Sequence, residues 1–316
     1  MRRMNRRKFI GTSVAAATLA AARPSWAADS IHHVDSPAAA HSIDRVGIQL
    51  YTVRAAMKTD FEGTIAKVAA TGYKEVEFAG LFDPKGGYFG RSPKDVRAIL
   101  DQSGLAAPSA HAGYDVVEKR WPEALEAAKI VGHRYIICPW IDEKQRSQPG
   151  GWKRAANLFN KAGEASKKAS IQFGYHNHSF EFDPALSLDG KLPYDFFLAE
   201  LNPEFVTMEL DLCWISVAGK DPVAYFEKYP GRFPLVHVKD WIKDASTPSA
   251  YQGAMGQSVK FGGRMADVGQ GSVDWKRIFA HSEQAGIKHY FVENDDPQSV
   301  FDDIKISYDY LHSLQF

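Results

Sequence analysis

Cysteine is nearly missing from this chain. Its 316 residues carry only Cys138 and Cys213, which excludes a disulfide framework or a cysteine-rich zinc site and leaves a single bridge as the most the thiols allow. Net charge is missing as well, with 38 basic residues against 38 acidic, and no basic block interrupts the chain beyond its N-terminus. Nucleic acids and anionic membranes call for such a block, so neither is an expected partner and a small molecule is. An apolar run long enough to cross a bilayer is also lacking at the N-terminus: the stretch from Gly11 to Ala22 is about a dozen residues, against the roughly 20 needed.

That stretch has a meaning of its own. Asn5-Arg6-Arg7-Lys8-Phe9-Ile10 precedes it, and Ser25-Trp26-Ala27 follows with small residues at the positions a signal peptidase reads. The pattern resembles a twin-arginine export signal over residues 1–27, which implies passage through an export machinery for folded proteins and a periplasmic location. Residues 28–43 lack periodicity and read as a linker in which His32, His33 and His41 are solvated.

What the remainder has is repetition. With 45% apolar composition it can bury a full core as one domain, and eight short apolar runs each end in a polar or ionisable cluster. They are Val46 to Tyr51, Glu75 to Gly80, Ala107 to Ala112, Tyr135 to Trp140, Phe173 to His178, Val206 to Asp211, Leu235 to Asp240 and Tyr290 to Asp295. Segments of helical period separate most of them. Asp60 and Gly72 bracket one, Ser92-Pro93 and Gly104 the next, and the others are Glu118 to Val131, Trp152 to Ala169, Tyr194 to Leu201, Pro222 to Tyr229, Trp275 to Ala285 and Pro297 to Leu314. Eight strands alternating with helices predict an α/β fold, a single (β/α)8 TIM barrel over residues 44–316, with its site at the carboxyl ends of the strands. The longest break, Trp241 to Ser272, is rich in Gly, Ser, Ala and Gln and reads as a loop that serves as a lid.

Side chains alternate along a strand, so residues two apart share a face. His176 with His178, Glu209 with Asp211, His237 with Lys239, Glu293 with Asp295, Glu75 with Glu77, and Ser109 with His111 are such pairs. Facing the barrel axis, they crowd imidazoles and carboxylates into a small space, which is costly unless a cation neutralises them or they share protons. One divalent metal ion solves that problem. Carboxylate and imidazole without thiolate suit Mn, Co, Mg, Fe or Zn, and Asp211, His237 and Glu293 are the first candidates as ligands. Lys239 is placed either to neutralise a developing oxyanion or to pair with Asp240, Asp211 or Glu209. Glu77 and His111 suit either sugar hydroxyls or internal polar pairs. His133, His281, His289 and His312, on helices or their flanks, read as ordinary hydrogen-bonded residues. Trp140, Trp214 and Trp241 lie at strand ends where indoles can stack on sugar faces, whereas Trp121 belongs to the core. Gly269-Gln270-Gly271-Ser272-Val273-Asp274-Trp275 matches no phosphate-binding fingerprint. Its glycines allow a tight turn, with Ser272 or Asp274 capping the next helix.

In combination, GIQLYTVR, YHNHSFEF, MELDLCW, HVKDW, GQGSVDW and FVEND at successive strand ends resemble the sugar phosphate isomerase/epimerase superfamily, the xylose-isomerase-like TIM barrels, over residues 44–316. The resemblance implies a metal held by Glu, Asp, His and Glu from strands five to eight, the two glutamates being the acid/base pair. Asp211, His237 and Glu293 match the last three. Where those epimerases have a strand-five glutamate this chain has His176, so His176, His178 or Glu181 takes that place and the two-glutamate proton shuttle is not carried over. What the resemblance still implies is proton abstraction next to a carbonyl through a metal-stabilised enediolate, with His176 or Glu293 as base and a carbohydrate as substrate. The expected activity is a sugar isomerase or epimerase. The alternatives are a lyase that cleaves 3-keto-glycosides by elimination and, from another class, a non-catalytic sugar-binding protein. A homodimer is the family expectation. The export signal makes a direct prediction: mass spectrometry of the protein recovered from a periplasmic extract will show a mature N-terminus at or next to Ala28, and an intact Met1 would refute the signal.

Overall fold

A computed structural model describes residues 41–82, 88–252 and 258–316, the side chains of 245–261 excepted. The export signal and nearly all of the linker lie outside the described residues. Eight parallel strands close into a barrel: β1 (Val46–Gln49), β2 (Glu75–Phe78), β3 (Ala106–His111), β4 (Tyr135–Cys138), β5 (Gln172–His176), β6 (Val206–Asp211), β7 (Leu235–Val238) and, after an antiparallel pair formed by β8 (Asp240–Gln252) and β9 (Ser258–Ala266), β10 (His289–Val292). The barrel runs in the order β1-β10-β7-β6-β5-β4-β3-β2. His41 and Phe316 exchange both backbone hydrogen bonds, at 2.8 and 3.0 Å, and tie the two ends of the barrel chain together.

The helix signals act as chemistry requires. Asp60 accepts from the Gly63 N–H and starts Phe61–Thr71, which ends at Gly72 with φ 122°. Ser92 and Asp95 form a reciprocal capping box ahead of Pro93–Ser103, and Gly104 closes that helix in the left-handed region. Trp275 to Ala285 is two short helices, Trp275–Phe279 and Ser282–Ala285, rather than one.

Two expectations need correction. Most strands stop short of their apolar runs, so Tyr51, Trp140, His178 and Asp295 lie past the ladder, where the chain has begun to turn into the βα loops. Trp241 to Ser272 is no structureless loop: Asp240 pairs with Ala266 and Lys243 with Gly263 in a long hairpin whose register shifts between Lys243 and Pro248. Small residues and that irregularity mask the period of two on which a strand is recognised. Cys138 and Cys213 are free and buried, so no bridge forms.

Inside the barrel, depth matters as much as face. Phe291, Ile137 and Leu235 form an apolar plug against which Tyr135 packs. Gly47 and Gly174 make room for it, since a Cβ would lie 2.6 Å from Phe291 Cδ1 at the first and 2.5 Å from Ile137 Cδ1 at the second. Below the plug Glu75 pairs with His289 Nδ1 at 2.6 Å and with Arg45 Nε at 3.0 Å. Above it stand Gln49 and Glu77, brought level by the β1–β2 register. Glu75 and Glu77 therefore share a face yet lie on opposite sides of the plug, because two residues span roughly 6.6 Å of strand. A methyl group at position 47 overfills the plug: Gly47→Ala is expected to cost about 1–3 kcal/mol in urea unfolding, and the added change Phe291→Leu to restore part of it.

Candidate active site and metal centre

Register sets the polar layer. His176 on β5 is level with Glu209 on β6, and Asp211 with His237 on β7, so groups from neighbouring strands meet at one height. Glu209 sits at the centre. Its Oε2 lies 2.8 Å from His111 Nε2, 3.1 Å from His176 Nδ1 and 3.4 Å from His237 Nε2. Glu77 accepts from Ser109 Oγ and Gln49 Nε2 and, at 2.7 Å, from His237 Nε2. His237 donates its other nitrogen to Glu293 Oε2 at 2.8 Å. Both of its ring nitrogens thus face carboxylates, the arrangement of an imidazolium.

Asp211 divides its two oxygens. Oδ1 accepts from the Cys213 and Trp214 N–H groups and caps the helix Leu212–Val217, while the Asp211 N–H donates to Asn177 Oδ1. Oδ2 is left for the site, 3.2 Å from Lys239 Nζ and 3.8 Å from His176 Nε2. Lys239 Nζ also lies 2.8 Å from Glu293 Oε2 and 2.7 Å from Asp295 Oδ2. The ring of Trp214 lies 5.3 Å from it.

These contacts set the protonation states. Burial disfavours a charged ring, but Glu77 and Glu209 prevail and lift His111 to about 9; Glu209 and Glu293 raise His237 well above its ordinary value against the same penalty. Lys239 is likewise held charged by Asp211, Asp295 and Glu293 despite its burial. Desolvation pushes Glu209 up to about 7 and Asp295 to about 6, the Glu77 and Glu293 charges adding to each in turn. His176 goes the other way: burial, then the charges of His237, His178 and His111, hold it well below normal, and it stays neutral.

The structure brings Glu77, His111, His176, Asp211, His237, Lys239 and Glu293 into one layer. His178 stands beside it, its ring 5.1 Å from that of His176 and edge-on to Trp140 at 4.8 Å. Trp140 packs on Phe180 as well, whereas Trp241 is buried with Cys213 and Trp214. Glu181 is not in the layer. Tyr175 points away from the barrel axis, and Glu181 accepts its hydroxyl at 2.6 Å and the His178 N–H at 2.9 Å, so its carboxylate is engaged behind the strand. His133 bonds Tyr88 and the Ala107 carbonyl, and His289 bonds Glu75. Glu209 and Asp295 belong to the layer but were not singled out as site residues; their parity with Asp211 and Glu293 was the available signal. The glycine segment cradles a carboxylate: Asp240 accepts from the Gly269, Gly271 and Val273 N–H groups and from Trp275 Nε1, and Asp274 caps the next helix.

Several buried donors are left over. His176 Nδ1 and Glu209 Oε1 have no hydrogen-bond partner, and Asp211 Oδ2 has none beyond its ion pair with Lys239, a condition that a further cation relieves. Two groups have ligand atoms within 4.8 Å of one another, His111, His176, Glu209 and His237 on one side and Asp211, His237 and Glu293 on the other. Nitrogen and oxygen donors at this spacing fit a divalent ion.

A closed parallel barrel with its ionisable layer at the carboxyl ends of the strands is a TIM barrel carrying its site where such barrels do. More narrowly, the chain belongs to the xylose isomerase-like TIM barrel family, which it matches over residues 65–302. It is 22% identical over 255 residues to an inosose dehydratase of Lacticaseibacillus casei, spanning 73% of this chain and 80% of that protein. An inosose dehydratase of Geobacillus thermodenitrificans is 23% identical over 253 residues, with the same coverage. The structure of a sugar phosphate isomerase/epimerase from Parabacteroides distasonis superposes with a TM-score of 0.68 at 26% identity, covering 89% of this chain and 97% of that one.

The anchor behind β5 carries a pH signature. Burial raises Glu181 to about 7 from the ordinary 4.5, against the hydrogen bonds it accepts from Tyr175 and His178. A raised acid favours the fold fully below 4.5 and loses that contribution as pH climbs through 7. Measured against Glu181→Gln, wild-type stability is expected to fall by up to about 3 kcal/mol across that window; parallel curves would refute it.

Proposed function

We propose that the chain is an enzyme that removes the proton next to the carbonyl of a polyhydroxylated ketone and then expels a β-oxygen substituent, a lyase of the dehydratase kind. The observation that carries this is the unlike pair on Asp211 Oδ2: the neutral imidazole of His176 at 3.8 Å and the ammonium of Lys239 at 3.2 Å. Epimerisation asks for two comparable bases, one for each face of the carbon. Elimination asks for one group that takes a proton and a different one that supplies charge or a proton to oxygen.

His176 takes the proton from carbon, and the freed electron pair becomes the enol double bond. Its ring is a weak base, so the substrate carbonyl must be polarised; Lys239 faces the developing oxyanion for this purpose, and Glu209 and Asp211 flank the imidazolium as it forms. When the enol collapses, the carbon–oxygen bond at the β position breaks, and the oxygen departs as water or an alcohol with the proton that the His176 imidazolium gives up, leaving an unsaturated ketone and the neutral ring. A divalent ion held by donors of the His237 layer supplies Lewis acidity to the carbonyl when bound. Trp140, Phe180 and His178 form an aromatic wall suited to the apolar face of a sugar or cyclitol ring.

The inosose dehydratases among the relatives support this reading. An isomerase or epimerase is the second reading, favoured by the similarity to the Parabacteroides distasonis protein. The motif at Arg6-Arg7 supports placing the enzyme in the periplasm. Mass spectrometry of incubations with keto-cyclitols, keto-sugars and 3-keto-glycosides separates the two, since elimination releases water or an alcohol and isomerisation conserves mass. His176→Ala is expected to lower kcat by roughly 10²–10⁴, with wild-type near-UV circular dichroism; mass-conserving turnover would transfer the assignment to the second reading.

A further inference from the structure

Outward from the ionisable layer, at the same end of the barrel, the chain forms a separate hollow. Its volume is about 460 Å³, within the roughly 300–1,000 Å³ of small-molecule sites. Tyr114 and Glu118 on the helix Tyr114–Lys119 line it, with Asp142, Lys144 and Gln145 around the helix Glu143–Arg146 and Arg154 on the helix Gly151–Lys168. Tyr114 comes three residues after the end of β3, and Asp142 stands two residues beyond Trp140. The hollow thus lies on the rim built by the loops after β3 and β4. It has no residue in common with the groups that could hold a metal.

The polar groups around this hollow are left unused by the fold. Aspartate is a favoured N-cap, and Asp142 occupies that place ahead of Glu143–Arg146, yet its side chain makes no capping bond. Gln145 Oε1 is buried without a hydrogen-bond partner, which calls for a donor. Among the described residues, Asp142, Lys144 and Arg154 join no ion pair, and Glu118 pairs with its neighbour Lys119 at 3.7 Å. Opposite charges therefore line the space without a bridge that closes it. Two carboxylates against an ammonium and a guanidinium leave no net charge to select an ion, and an apolar ligand would strip these groups of water without replacing it. A neutral molecule rich in hydroxyl groups satisfies all of them, because each hydroxyl both donates and accepts. Tyr114, packed edge-on to Phe159 with ring centroids 6.0 Å apart, adds a flat apolar surface that suits a sugar ring.

We propose that this hollow is a second carbohydrate subsite, which holds a neutral sugar unit of a substrate whose reacting ring enters the layer. Asp142 and Gln145 accept from its hydroxyl groups, Lys144 and Arg154 donate to them, and Tyr114 covers one face of the ring. The inference rests on the carbohydrate part of the reading above and is independent of which bond the enzyme breaks.

Methyl β-cellotrioside and methyl α-maltotrioside have no free carbonyl, so they report binding without turnover. Each is titrated by calorimetry into the full chain as wild type, Asp142→Ala, Tyr114→Ala and His176→Ala, with near-UV circular dichroism to confirm folding. Asp142 is exposed, so Asp142→Ala keeps the test in force should Tyr114→Ala fail to fold. Wild type and His176→Ala are expected to bind at least one trioside equally well, with affinity falling roughly tenfold in Asp142→Ala and in Tyr114→Ala. A wild type that binds neither trioside overturns the proposal, as does binding that is lost in His176→Ala and unchanged in Asp142→Ala. Turnover of a keto-cyclitol by a protein that binds neither trioside would sink the subsite alone. Trioside binding as expected with no turnover of any ketone would count against the reaction and leave the subsite standing.

Discussion

Charge burial is the constraint on which the rest of this barrel depends. Glu77, Glu209, Asp211, Glu293 and Asp295 are all buried at the carboxyl end of the strands, and a carboxylate out of water survives only with compensation. The chain supplies it from within. Lys239 serves one set of carboxylates, His111 and His237 serve another, and Glu209 and Asp295 have values near neutrality that let them hold a proton. Raising some groups while depressing others is the condition under which acid and base roles coexist at one pH. His176 is the exception in this layer, because burial, and then the charges of His237 and His111, hold its ring well below the ordinary imidazole range among groups that are charged.

Much of this was legible in the chain itself, for reasons that differ from residue to residue. The apolar runs mark the strands because a parallel barrel strand is buried on both faces, and the polar residues at their ends mark the site because that is where side chains leave the plug. Parity then brought Asp211, His237, Lys239 and Glu293 to a common face. Parity is silent about height, however, which is why Glu75 reads like Glu77 although the plug separates them. Parity pairs Glu209 with Asp211 but does not single it out for the site, for the converse reason: it lies inside the strand instead of at its end, and it becomes central only because His111, His176 and His237 converge on it from three other strands. Nothing local announces that Glu181 turns to Tyr175, since that bond depends on how the loop after β5 folds back over the outer face.

The relatives stand at only 22–23% identity, and a barrel hosts many chemistries by changing what stands at the ends of its strands. In this chain the decisive substitution is an imidazole on β5 where the resemblance leads one to expect a glutamate. One uncharged ring in place of a carboxylate removes a negative charge from an already crowded layer and makes the two halves of the proposed acid/base pair chemically distinct.

Asp240 has a consequence for how this protein can vary. Its carboxylate gathers the Gly269, Gly271 and Val273 amides, and the Trp241 carbonyl accepts from the Ser272 N–H. The chain thus leaves the barrel after β7 and returns to nearly the same point, with the whole β8–β9 hairpin strung between the two sides of one clamp. Lengthening a segment whose ends are pinned together adds little entropy cost. The hairpin is therefore a detachable module, able to grow, shrink or change sequence across descendants of this barrel while the strands and the layer of charges beneath it stay as they are.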